Sequence, residues 1–351
     1  MRTYLPAAAA GAAVVLSCAW AAPASADSGP AVAFRISDPR IIESSGLAAS
    51  RLHPGVYWTH NDSGDGPYVY GVDAATGKTV ATLTMRGVHA RDVEAISLGP
   101  DGDLYVADTG DNLNSWPEVR IYRFPEPRDL TSRTVDVIRF TVRYEDGPRD
   151  AEALMVQPTT GRVYLASKSQ KGGHLYEGPA ALSAGGVNVF HRIGDVPWVT
   201  DGAFSPDGSR LVLRGYLWSA VYRWADGRPH KIDSLTVPIQ PQGESVTFTR
   251  DGRSLLYGSE GKDSKVWKAT LGGEELPDDV TQSAGATART DASPTATGSP
   301  GDGPSPRPTA GTGAKKAENS GGRTVGFVVL AVIAAAGYGL RRLGRLRRRQ
   351  D

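Results

Sequence analysis

One cysteine, Cys18, stands among 351 residues, alongside three methionines and seven phenylalanines. A single cysteine cannot form an internal disulfide, so an exported body must hold together by core burial alone. Amphipathic helical runs are missing between residues 31 and 271, which excludes an alternating strand–helix architecture. G-x-S-x-G, H-E-x-x-H and P-loop patterns are also absent. The sequence therefore offers no serine elbow, zincin pair or phosphate cradle, and it indicates no organic cofactor. Positive charge is scarce outside the ends. Arg2, Arg323 and six arginines after residue 340 leave 31 basic against 37 acidic residues over 27–322, a net −6, although the whole chain sums to +1. No nucleic-acid partner is expected for such a body, because phosphate binding needs a basic face.

The ends predict location. Arg2, the run PAAAAGAAVVLSCAWAA and the Ala24-Ser25-Ala26 site before Asp27 make an export signal over 1–26. VLSC (15–18) departs from a lipobox at Leu16, and lipoprotein processing is the alternative. Thr324 to Leu340, TVGFVVLAVIAAAGYGL, reads as one transmembrane helix. At about 25 Å it is slightly short for about 30 Å of hydrocarbon. Leu343 and Leu346 can extend it while the arginines between them snorkel. The tail, 341–351, carries Arg341, Arg342, Arg345, Arg347, Arg348 and Arg349 and should stay cytoplasmic. No LPxTG-type motif precedes the span; PTAGTG (308–313) is unlike one. Residues 275–322, rich in Pro, Gly, Ser, Thr and Ala, predict a disordered linker reaching about 40 Å on average. The expected layout is a body outside the cell membrane, one span and an inside tail.

The body repeats one phrase. Turns HPG, PDG, TTG, PDG and RDG end at glycines 55, 102, 161, 208 and 252. A short strand with a small or acidic entry precedes each turn: SGLAAS, EAISL, EALMV, DGAFS and ESVTF. An apolar run follows each: VYWT, LYVA, VYLA, LVL and LLYG. Third and fourth strands follow in turn, among them YVYGV with TVATLTM and AVYRW with HKIDSLTV. Four strands per unit at this period predict an all-β propeller over 31–274. Five blades are expected, with AVAFRIS (31–37) supplying the missing fourth strand of the last and closing the ring. The longer 102–161 interval leaves room for a sixth. A two-sheet sandwich is the rival, but it does not predict fivefold reuse of one phrase. Tyr57, Trp58, Tyr105, Tyr164 and Tyr257 are expected to pack between blades.

In a propeller, the loops before the innermost strands share a face with those between strands two and three. Asp92, Glu94, Asp150, Glu152, Asp201 and Glu244 fall in the first set, with Glu43 and Ser45 in the first blade. His60, Asn61, Asp62, Asp65, Asp108, Asp111, Asn112, Lys168, Arg214 and Glu260 fall in the second. Crowded carboxylates repel and raise one another's pKa. A divalent cation would relieve them, and oxygen donors suit calcium or magnesium over zinc. Asp62, Asp65, Glu94, Asp108, Asp111, Asn112, Glu152, Asp201 and Glu244 are the candidate metal ligands. His60, Asn61, Lys168, Arg214 and Glu260 are the candidate ligand-binding residues. Turn formation, a water string, or neutralisation by Lys168 and Arg214 are the competing explanations. His60 and His89 lie near this mouth as candidate bases. NDSGDG (61–66) is not an EF-hand: Asn61, Ser63, Asp65 and Gly66 fit, but Val72 stands where a bidentate Glu is required.

The series NDSGD, DVEAI, VADTGDN, DAEAL, ASK, TDGAFSPDG, LRGY and QGES…SEG, over about 43–261, resembles an uncharacterised family of exported bacterial β-propellers with a WD40-like label. TDGAFSPDG is more distantly similar to SMP-30/gluconolactonase-type propellers, and the Glu-rich entries to esterase-like phytase propellers. The former resemblance implies a divalent metal at the central channel, with Asp201 at the position of a metal-binding acid; Glu94 and Glu152 stand where asparagines are expected. The G-H…W-D signature is missing. Three functions remain open. The first is binding or sensing of an extracytoplasmic ligand or protein on the acidic face. The second is metal-dependent hydrolysis of phosphoesters, esters or lactones, with Lys168 and Arg214 clamping an anion. The third is a purely structural envelope role.

Overall fold

The computed structural model of the chain describes residues 29–283. The expected export signal, transmembrane segment 324–340, tail, and linker beyond 283 lie outside these residues. Among the described residues, no helix is long and apolar enough to cross a membrane.

The described chain is all-β. β1 (Ala31–Arg35) comes first. β2 (Ser44–Ala49), β3 (Val56–Asn61), β4 (Tyr68–Asp73) and β5 (Thr79–Met85) form an antiparallel unit. β6 (Val93–Leu98), β7 (Asp103–Asp108), β8 (Val119–Pro125) and β10 (Ile138–Tyr144) form a second, interrupted by the short β9 (Arg133–Val135). β11 (Ala151–Val156), β12 (Val163–Ser167), β13 (Gly173–Glu177) and β14 (Val187–Val196) form a third. β15 (Asp201–Phe204), β16 (Arg210–Arg214), β17 (Ser219–Ala225) and β18 (Arg228–Leu235) form a fourth. β19 (Gly243–Phe248), β20 (Ser254–Ser259) and β21 (Lys265–Thr270) make three strands of a fifth, and β1 pairs with β21 as its fourth. The first strands pack side by side in a closed circuit: β2, β6, β11, β15, β19 and back to β2. This is a propeller-like arrangement.

Local chemistry explains the units. The five glycines that end the first turn all have φ between +67° and +84°, where a side chain is strained. The runs on either side alternate or are wholly apolar, so each unit buries both faces between its neighbours. Aromatics fill the seams. Trp58 donates to Glu126 of the second unit at 2.8 Å. Tyr164 meets Phe204 and Trp224 of the fourth unit edge-on. Tyr257 reaches Ser219, and Tyr57 stacks on Phe34 of β1.

The long 102–161 interval holds an edge cover, not a further four-stranded unit. β9 crosses to pair in parallel with β5, and β10 pairs in parallel with β14. Both pairings cover outer edges that would otherwise expose backbone donors. The chain past 274, expected to enter the linker, instead stays on the body. A 3-10 turn at Gly273–Glu275 leads to helical residues 278–283. Val280 is buried, and Asp278 pairs with the buried Arg210 at 2.8 Å. A buried guanidinium needs such a partner, which a composition-based linker boundary does not register.

Candidate functional site

Every first strand carries a polar residue in its first two positions and ends apolar: SSGLAA, VEAISL, AEALMV, DGAF and GESVTF. One end of the ring is therefore acidic and the other greasy. At the acidic end four of the five ladders slip register. The shifts lie at Ser44/Leu47, Val93/Ala95, Ala151/Ala153 and Gly243/Val246. Glu94, Glu152 and Glu244 sit within these shifts. A bulge leaves a residue unpaired and re-aims its side chain. β15 pairs with β16 without a shift, and its acid behaves differently. Asp201 accepts from the N–H of Gly202 at 2.8 Å and of Val246 at 2.7 Å, stitching β15 to β19.

The slipped acids converge. Asp62, Asp92 and Glu94 each place a carboxylate oxygen within 4.8 Å of the others, and Glu94, Asp150 and Glu152 do the same. All five residues are buried, and Glu94 belongs to both triads. Lys168 closes one side with an ion pair to Glu152 at 2.8 Å, its ammonium 5.6 Å from the Tyr216 ring centre. Glu244 accepts from Gln242 at 3.0 Å through Oε1, while its buried Oε2 has no hydrogen-bond partner among the described residues.

Proton affinity follows from this crowding. Burial, then Glu94, pushes the Glu152 carboxyl well up against the pull of Lys168. Burial also raises Glu244, again against Lys168. Burial, then Glu244, Glu43 and Glu94, pushes Glu260 up to about 9. Burial works against the Lys168 charge, but Glu152, Tyr216 and Glu244 outweigh it and hold the ammonium well above the usual lysine range. Burial first, then Glu244, raises the Tyr216 phenol.

The other expected site residues are used in the loops and seams around the triads. Asn61 is used within its loop: its oxygen accepts from the N–H of Ile42 and Glu43, and its amide donates to Arg40 O and Asp65. Asp65 also accepts from the Gly66 N–H and the Tyr70 hydroxyl. Asp108 accepts from the N–H of Arg91 and Asp92, and Asp111 from the Trp116 N–H. These acids shape loops, as Asx residues commonly do. Asn112 is exposed and donates to Asp92 at 3.1 Å. Arg214 corrects the anion-clamp expectation. It is fully buried in the seam between the fourth and fifth units. It donates to Ser245 O at 2.9 Å, Gly258 O at 3.1 Å and the Gln240 amide oxygen, so its fork faces backbone and not a ligand. His60 is buried, and burial lowers its pKa to about 4. A Cβ on Gly46 would lie 2.5 Å from its Nε2, so it wedges against β2 as a neutral ring. His89 is exposed. Tyr216 and Gln242 join the mouth without having been expected there. Their signal was position alone: Tyr216 follows β16 within LRGY, and Gln242 precedes β19 within QGES.

No protein-family model matches the chain, and no curated protein matches it. Among solved structures, luciferin-regenerating enzyme is similar over 70% of this chain and 96% of its own, at 12% identity and a TM-score of 0.43. A candidate 6-phosphogluconolactonase from Bacteroides uniformis is similar over 66% and 69%, at 14% identity and a TM-score of 0.38. The WD40 repeats of RRP9 are similar over 65% and 67%, at 14% identity and a TM-score of 0.36.

Proposed function

We propose that this chain is an exported five-bladed propeller, tethered to the cell membrane by segment 324–340. Its acidic mouth takes up a divalent cation of the calcium class and presents it to an extracytoplasmic ligand or partner. The observation that carries this reading is the pair of carboxylate triads sharing Glu94 on bulged strand starts. Oxygens up to 4.8 Å apart suit an ion coordinated at about 2.4 Å. The donor set is hard oxygen throughout, and the unpartnered Glu244 Oε2 adds a further acceptor at the same mouth. Asp62, Asp92 and Glu94 would hold the ion, with Asp150 and Glu152 as the adjoining group. The ion would supply positive charge for an anionic or carbonyl ligand. Lys168 keeps Glu152 oriented, and the raised acids would give up protons as the cation enters.

Thermal unfolding of the full chain with calcium, magnesium or manganese tests this. Saturating cation should raise the melting temperature, by about 2.7 kcal/mol of stabilisation at a hundredfold excess over Kd, and Glu94→Gln should abolish the rise. No response to any of the three ions would overturn the cation reading. A hydrolase is the second reading: burial, then Glu244, Glu43 and Glu94, pushes Glu260 up to about 9, the direction a general acid requires. Cation-dependent turnover of a phosphoester, ester or lactone, lost in Glu94→Gln, would select it over pure binding. No cation response in the parent, with unaltered stability in Glu94→Gln, would leave the structural envelope role.

A further inference from the structure

The opposite end of the ring carries a cavity of about 260 Å³. It lies among the apolar ends of all five first strands, walled by Leu47, Leu98, Phe204 and Phe248. Only two of its lining residues are charged, and both are arginines: Arg51 and Arg250. Both are exposed. Arg51 spends one N–H on Pro100 O at 2.9 Å, leaving most of a five-donor fork unused. No hydrogen bond or ion pair of the Arg250 side chain occurs among the described residues. Three of the hydroxyls lining this end are already committed to carboxylates of the body. Ser50 donates to Glu126, Ser205 to Asp207 at 2.6 Å, and Thr249 to Asp251 at 2.6 Å. The turn acids are committed as well: Asp207 also accepts from Ser209, Asp251 from the Arg253 N–H, and Asp101 from Tyr105. What remains for a ligand is a hollow of mixed lining, apolar side chains beside polar groups, with two cations at its rim, in a body whose net charge over 27–322 is −6.

We propose that this cavity binds a small amphipathic organic anion. Its apolar body lies among the first-strand ends, and its carboxylate lies on Arg51 and Arg250. Guanidinium and carboxylate match as planar, bidentate partners, and the mixed lining suits a molecule with one apolar and one charged end. The acidic mouth, about 13 Å away by the four strand residues from Glu94 to Leu98, would repel the same molecule. The two ends of the ring therefore select opposite charges.

Calorimetry of the full chain with 4-phenylbutyrate as the probe, and 4-phenylbutylamine as its cationic counterpart, tests this. One phenylbutyrate should bind per chain, and the amine at least tenfold more weakly. The double variant Arg51→Gln/Arg250→Gln should weaken phenylbutyrate tenfold or more with an unchanged melting temperature, since both side chains are exposed. Glu94→Gln and chelation of divalent ions should leave it unchanged, which separates this site from the mouth. The proposal fails if phenylbutyrate does not saturate, if the amine binds equally well, or if the double variant binds like the parent.

Discussion

At the residue scale, two buried groups set opposite pH dependences. Glu260 holds its proton to about pH 9 when folded, against about 4.3 for a free glutamate. An acid raised by folding contributes stability that is complete below its unfolded pKa and lost as pH rises toward the folded value. The loss runs at about 1.4 kcal/mol per pH unit for one proton. Urea denaturation should therefore show stability falling between pH 6 and pH 9, with a flatter profile in Glu260→Gln. His60 works the other way. Its pKa falls to about 4 on folding, so its contribution is complete above about 6.5 and lost as pH drops toward 4. Substituting His60 with Gln should remove that acid-side loss in the same titration. If neither variant changes its limb of the profile, the burial argument for these two groups is wrong. The sequence placed both residues near the mouth. It could not separate a packed neutral ring from a base, because that depends on Gly46 of another strand.

At the element scale, the closing strand adds one tight approach to its pairing with β21. Gly77, in the turn between β4 and β5, has φ +71°, and a Cβ there would lie 2.1 Å from Arg35 O of β1. Ser37 donates its N–H and its hydroxyl to Gly77 O on the same seam. Gly77→Ala should cost about 3 kcal/mol or more, since it adds a backbone clash to left-handed strain. Gly55→Ala is the control: φ is +84° but nothing lies within 4 Å, so only about 1 kcal/mol is expected. Equal losses in thermal unfolding would mean that β1 yields at no cost. The strand itself was legible as AVAFRIS, from its alternation and the missing fourth strand. The cover β9 and the parallel pairing of β10 with β14 were not, because parallel pairing between units leaves no local pattern. Nor was the docking of residues 275–283, whose composition is that of a linker while Asp278 answers a buried arginine far away in sequence.

At the scale of the whole molecule, closure depends on seams as well as on β1. Arg214 ties the fourth unit to the fifth through neutral acceptors on Ser245, Gly258 and Gln240. Lysine carries the charge but not the planar fork, so it cannot span these carbonyls. Arg214→Lys should lose about 3 kcal/mol in urea denaturation and become more sensitive to protease; a variant as stable as the parent would deny Arg214 its role in the seam. The sequence by itself determined the strands, the repeated phrase, the turn glycines, and the polar start and apolar end of each first strand. Those features follow from local conformational preference and period-two burial, which neighbouring residues encode. Tertiary structure alone decided which acids meet. A one-residue slip turns a side chain to the other face of its strand, so the bulges gather Glu94, Glu152 and Glu244 at the mouth. The unslipped β15 turns Asp201 to the backbone, and packing between units brings Asp62 and Asp150 to within 4.8 Å of Glu94.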